Sequence, residues 1–365
     1  MNPAQLLTHF DRISDAPDAV PRLRRFILDL AVRGKLIEQD PNDEPAFELL
    51  KRIQAEKARL VKEGKIKKQE LPPLDENKMI FQLPASWKWI RIGEGFDYDA
   101  GTKREPKELN PDRWLLELED IEKDTSAVLT RLKVSDRDSL STKSEFKVGD
   151  ILYGKLRPYL NKVVVATEPG YSTTEIVAIR PFLPLSPAYC SLAFRRPDFV
   201  EYVNRLGRGT KMPRLRTPDA IVAAFPLPPL AEQHRIVAKV DELMALCDRL
   251  EAAQSERESQ RDRLAAASLH RLNNGADTYT FREHVRFHLS HLPHLTTRPE
   301  HIQQIRQTIL NLAVQGKLVP QDPNDEPASE LLKRIKQVKR QLLAAKELRQ
   351  STSATNSVDR REEIS

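Results

Sequence analysis

Residues 225–252 read FPLPPLAEQHRIVAKVDELMALCDRLEA, and this stretch decides the architecture. The prolines of PLPPL (226–230) bar a helix up to Pro229 and then release a long helical pattern, predicted over roughly 231–272. Ile236, Val240, Leu243, Cys247 and Leu250 follow one another at intervals of 4, 3, 4 and 3, the spacing of a coiled-coil seam. Residues 254–263, QSERESQRDR, hold nothing apolar, so the seam there is wet or short, and it resumes at Leu264. No second helix of that length is legible in the chain. The seam is therefore expected to leave an apolar stripe for a partner, because burying each Leu or Ile is worth about 1.5–3 kcal/mol.

Upstream of this helix the pattern changes from helical spacing to short strands. ILYGKL (151–156), KVVVA (162–166) and TEIVAIRP (174–181) read as strands; AYCSLAF (188–194) and DFVEYVNRL (198–206) read as short helices. With the leading LPASWKWIRIGE (83–94), this makes a mixed globular domain over 81–228, and the fold class is α+β.

The ends of the chain carry a repeat. Residues 23–53, LRRFILDLAVRGKLIEQDPNDEPAFELLKRI, recur as IRQTILNLAVQGKLVPQDPNDEPASELLKRI at 305–335, with 23 of the 31 positions identical. The offset of 282 residues is too long for a solenoid and points to duplication of a larger module. Each copy reads as helix, turn, helix. In the first, Leu23, Phe26, Ile27 and Leu30 have helical spacing, Gly34 is read as a C-cap, and Asp43 in the DPNDEP turn as the cap of the next helix. The chain thus divides into a helical segment (1–64), a polar linker (65–80), the globular domain (81–228), the long helix (229–272), a connector (273–300), the second helical copy (301–345) and a polar tail (346–365).

Composition excludes several classes. Two cysteines, Cys190 and Cys247, make neither a disulfide framework nor a zinc cluster. No apolar run approaches the ~20 residues that span a bilayer, so a reduced, cytoplasmic protein without membrane contact is expected. There is no phosphate loop and no glycine-rich cofactor turn. Pro111-Asp112 begins a nuclease-like motif that fails, because Ile121 stands where the acid before Lys123 is needed. His284, His288, His291 and His294 cluster, but Pro293 interrupts them and no cysteine is near; they are read as part of a solvated connector, and no metal is assigned.

Charge gives the positive signal. Residues 94–124 carry a net −6 and residues 151–218 a net +7, in a chain of net +6. RLGRGTKMPRLR (205–216) contains Arg205, Arg208, Lys211, Arg214 and Arg216 with no acid, and its glycines would let backbone N–H groups approach a phosphate. A second basic loop holds Lys155, Arg157, Tyr159 and Asn161 at a strand end. Read alone, each loop admits a DNA-contacting face or an ordinary solvated basic surface.

ILYGKLRPYLNKVVVA (151–166), GRGTKMPRL (207–215) and above all residues 225–252 resemble the specificity subunits of type I restriction-modification enzymes. Residues 23–53 resemble the leading segment of one branch of that family, and the similarity runs from about residue 5 to 345. The resemblance implies two target recognition domains per subunit, each reading half of a split DNA sequence. Helices between them pair as an antiparallel ruler. This chain has one recognition segment, over 81–228, and so looks like a half-subunit. The implied partners are double-stranded DNA, methyltransferase subunits that use S-adenosylmethionine, and a restriction (motor-nuclease) subunit that uses ATP and Mg. The chain itself is then non-catalytic and holds no cofactor. Lys155, Arg157, Tyr159, Asn161, Arg205, Arg208, Lys211, Arg214 and Arg216 become the candidate DNA contacts. Ile236, Val240, Leu243, Cys247 and Leu250 become the candidate partner interface, with a second copy packed antiparallel as the expected occupant. The different-class alternative is a stand-alone DNA-binding regulator or coiled-coil protein, against which the block 226–250 speaks as a partner-docking surface.

Overall fold

A computed structural model describes residues 16, 18–76, 79–138, 141–206, 211–274 and 277–344. Two compact units emerge, Met1–Gln254 and Ser255–Ser365, with their boundary inside the long helix.

In the first unit, helix α1 (Ala19–Val32) buries Val20, Ile27, Ala31 and Val32 along one face. It ends at Gly34, whose φ of +66° suits glycine and whose missing side chain leaves room for Pro84: a Cβ there would stand 2.4 Å from the proline Cγ. Helix α2 (Ala46–Lys62) buries Ala46, Leu49 and Ile53. Asp43 does not cap it. The N-cap is Pro45, with no side-chain cap, and Asp43 instead grips Arg235 of the long helix through two bonds of 3.0 and 2.5 Å. The linker is strapped down where Arg91 donates to the Pro72 and Pro73 carbonyls.

The globular domain starts and finishes on one two-stranded sheet. Strand β1 (Lys88–Arg91) pairs antiparallel with the last strand, Ala224–Leu227, in the register Ile90↔Phe225. Between them run β2 (Phe96–Tyr98), β3 (Thr102–Arg104), β4 (Trp114–Leu116), β5 (Leu132–Lys133), β6 (Lys143–Phe146), β7 (Ile151–Gly154), β8 (Val163–Val165), β9 (Gly170–Thr173) and β10 (Ile176–Pro181); Ala224–Leu227 is β11. They form a four-stranded sheet, β2-β10-β7-β8, and a five-stranded sheet, β3-β6-β9-β4-β5, antiparallel throughout except for β4 beside β9. Strands β7, β8 and β10 are buried on both faces. Ile151, Tyr153, Val163, Val177 and Ile179 join the main core, while Leu152, Val164, Ile176 and Ala178 pack with Trp114 and Phe146 in a second core. Helices α3 (Pro187–Phe194) and α4 (Pro197–Leu206) bury Tyr189, Phe194, Phe199 and Val203 in the main core.

The chain leaves β11 through Pro228 and Pro229 straight into α5 (Leu230–Asn274), a continuous helix that includes the stretch 254–263. Its first turn is tied down on both sides. Gln233 is fully buried, donates to the Pro228 carbonyl and accepts from the Ser186 amide. Glu232 accepts from Gln39 at 2.7 Å.

In the second unit the end of α5 buries Ala265, Leu269 and Leu272. The region read as a solvated connector is helical: α6 (Thr278–Ser290), capped by Asp277, then the turn Leu292–Leu295. His288 is buried with Nδ1 2.9 Å from the Ser268 hydroxyl, and burial lowers its pKa. Among the described residues no three potential ligands converge as a metal site. The second repeat copy gives α7 (Pro299–Val314) and α8 (Ala328–Ala344). No helix of the described residues is long and apolar enough to cross a membrane.

Candidate nucleic-acid interface

The two basic loops, about 50 residues apart in sequence, form one surface. After β7, the Lys155 amide donates to the Glu175 carbonyl (2.9 Å) and Leu156 pairs with Arg214 as an antiparallel bridge. The Arg157 amide donates to the Pro213 carbonyl (2.8 Å) and the Leu215 amide to the Lys155 carbonyl (2.9 Å). Pro158 is buried beneath a single 3-10 turn, Pro158–Leu160, and anchors it. Arg157 (φ +49°) and Asn161 (φ +53°) bracket the turn in the left-handed region. A third loop joins them: the Asp124 amide donates to the Leu160 carbonyl, and the Ser126 hydroxyl to the Asn161 carbonyl. Of the five described non-glycine residues with positive φ, four (Asp124, Ser126, Arg157 and Asn161) stand on this rim. Strain of this kind costs about 1–3 kcal/mol per residue and persists only where the surroundings hold it.

The candidate cations divide into free and paired. Among the described residues, Arg157 and Lys211 are exposed, Lys155 is half-buried, and none of the three makes an ion pair. Tyr159 is exposed beside them. Arg214 is held by Glu175, its Nε 3.0 and 3.2 Å from the two carboxylate oxygens. Arg216 pairs with Asp219 at 2.9 Å and Arg205 with Glu201 at 3.3 Å. Arg208 lies outside the described residues. Asn161 departs from its sequence reading: its side chain is turned inward, donating to the Arg195 carbonyl, with Oδ1 buried. It shapes the turn and does not face solvent as a base reader would. Lys162 is likewise spent, donating to the Leu118 carbonyl at 2.7 Å, and burial lowers its pKa. The sequence reading missed Glu175 and the loop around Ser126; the only local signal for either was polarity.

The acidic stretch 94–124 is partly consumed inside the domain. Arg137 bonds Glu117 and Asp120 at 2.6 and 2.5 Å, and Glu145 outside the stretch ties Arg104 and Arg113.

The seam of the long helix requires a correction. Ile236, Val240 and Cys247 are buried within the chain, and Leu243 and Leu250 pack against the same core. The cover is the first repeat copy. Arg24 of α1 pairs with Asp248 (2.6 Å) and Glu251 (2.9 Å), Asp43 with Arg235, and Val20, Ile27 and Ala31 share the core. The first copy covers only the leading part of α5, as far as Glu251; the later apolar residues Ala265, Leu269 and Leu272 are buried in the second unit. The five seam residues are therefore filled from within and are not open to a second copy. Within the block 226–250, Glu232, Gln233 and Arg235 are spent on Gln39, Ser186 and Asp43, while His234 and Leu246 stay exposed.

An α+β domain is closed by its own first and last strands, leads into a long helix, and carries among its described residues a rim of cations without ion pairs. No family model matches the chain. The chain is similar to the specificity subunits of type I restriction enzymes. It is 38% identical over 348 residues to the EcoAI specificity subunit of Escherichia coli, and 37% identical over 346 residues to the EcoEI specificity subunit of the same organism. Each alignment covers 89% of this chain and 56% of the relative, so the chain spans a little over half the length of the relatives it matches. Among solved structures, the HsdS subunit from Thermoanaerobacter tengcongensis matches at 24% identity with a TM-score of 0.44, covering 54% of this chain and 52% of that one.

Proposed function

We propose that this chain is the DNA-specificity component of a type I restriction-modification assembly, and that its domain 81–228 reads one half of a bipartite target. The observation that supports this most is the rim: Lys155, Arg157 and Lys211, unpaired among the described residues, converge from two loops that backbone hydrogen bonds hold together. Fixed backbone with free cations suits phosphate contact, while the fully paired Arg214 keeps its neighbours in register. In this reading the chain acts in the cytoplasm without catalysing a reaction. Methyltransferase subunits dock on it with S-adenosylmethionine and methylate adenine; a motor-nuclease subunit adds ATP- and Mg-dependent cleavage. A second recognition unit reads the other half-site. The test is a binding titration of duplex DNA at several salt concentrations. Each of Lys155→Ala, Arg157→Ala and Lys211→Ala is expected to weaken binding and to lower the slope of log K against log salt by about one. Unchanged affinity and slope in the triple variant would reject the rim as the DNA face.

A further inference from the structure

We infer that Arg195 is a base-reading residue of this domain, and that the group it takes is the O6/N7 edge of a guanine in the half-site. The inference deepens the DNA-reading proposal and rests on it. Arg195 closes helix α3, two residues before Pro197 opens α4. Nothing in the sequence separates it from its neighbour Arg196; the folded surroundings do. Arg196 is buried and fully used: Nε meets Asp198 at 3.0 Å, Nη1 donates to the Ala193 carbonyl and Nη2 to the Ala224 carbonyl. Arg195 is half-buried and pairs with no carboxylate among the described residues. Its one side-chain bond among them runs from Nη2 to the Asp124 carbonyl at 2.7 Å. The Asp124 carboxylate stands 3.7 Å from Lys123 instead. Nε is buried without a partner, and Nη1 has none among the described residues. Burial lowers the pKa of this guanidinium, so the fold holds its charge at a cost in solvation.

The backbone around Arg195 is tied to it. The Asn161 amide donates to the Arg195 carbonyl at 3.4 Å, the Ser126 hydroxyl donates to the Asn161 carbonyl, and the Asp124 amide donates to the Leu160 carbonyl. Of the strained rim residues, Asp124 and Asn161 thus touch this arginine directly and Ser126 supports it through Asn161. Strain and an unpaired, desolvated charge in one place point to a ligand that completes the group. A phosphate contact needs none of this, because Lys155, Arg157 and Lys211 already supply unpaired charge on the same rim. What Arg195 adds is a planar fork tethered at one corner, with Nη1 and the remaining N–H of Nη2 left for two acceptors side by side. Guanine presents such a pair in the major groove and the other three bases do not. A wrong base would leave the fork unsatisfied against the DNA, which is the source of discrimination.

The test uses the full chain assembled with its cognate methyltransferase, and reads the methylated motif. Arg195→Gln is expected to keep the parent motif except at one guanine, which relaxes to any base. In binding by the same assembly, 7-deazaguanine at that position is expected to weaken the parent by about 5- to 150-fold and the variant by less than about twofold. If Arg195→Gln does not melt cooperatively, Arg195→Lys is read in the same way: the charge and the salt slope stay, and the same position relaxes. A variant motif unchanged at every position overturns the inference. So does equal weakening on all duplexes with a salt slope lowered by about one, which marks a phosphate contact. Failure of the rim itself reads differently. The triple variant of Lys155, Arg157 and Lys211 would then bind DNA like the parent, whereas failure of this inference leaves that variant weak and the motif of the Arg195 variant intact.

Discussion

Glu175 sits between the candidate DNA face and the fold, and its single charge makes the rim testable at the residue scale. It holds Arg214 with both oxygens. Glu175→Gln removes a negative charge from the rim and frees a guanidinium. DNA affinity should rise, and the salt slope should steepen by about one, in the same titration that tests Arg157. A fall in affinity would mean that the ordering of Arg214 matters more than its charge. Glu232 allows a test by pH. Burial pushes its carboxyl above the usual 4.5, while the bond from Gln39 opposes this. The folded state therefore binds the proton more tightly than the unfolded chain. The stability linked to that proton is present below pH 4.5 and is lost as pH rises through the raised value. Glu232→Gln mimics the protonated form, so its melting temperature should exceed the parent's at pH 7 and match it at pH 4.

In the two repeat copies nearly one sequence stands in two environments. Gly34→Ala should cost about 1–2 kcal/mol for the left-handed backbone and about 1–3 kcal/mol more for the clash with Pro84. Gly316→Ala carries the first cost alone, since its Cβ would meet nothing nearer than 3.4 Å. Denaturant melts of the two variants should differ accordingly, and equal losses would contradict the packing of Gly34 against Pro84. These helices also show which parts of the fold the sequence carries locally. The runs at 151–156, 162–166 and 174–181 became β7, β8 and β10 because β-branched side chains buried on both faces leave a continuous apolar signal. Strands β3 to β5 are two or three residues long in a charged stretch and have no period to read. Asp43 was legible as a turn residue; its partner lies 192 residues away, so its pairing was not. The seam was read correctly as apolar and wrongly as open, for the same reason: the helices that cover it precede it by some 200 residues. In the candidate site the cations were legible as charge, whereas the inward turn of Asn161 and the pairing of Arg214 depend on tertiary neighbours.

In the proposed function, the domain 81–228 reads one half of a two-part DNA site. In the proposed assembly the rim of loops 155–161 and 211–216 gives the methyltransferase its sequence. Methylome sequencing tests this in a host expressing this chain together with its cognate type I methyltransferase. Adenine methylation is expected at one defined two-part motif, lost when Lys155, Arg157 and Lys211 are replaced together by alanine in a chain that still melts cooperatively. Methylation of the same motif to the same extent by the triple variant would contradict it.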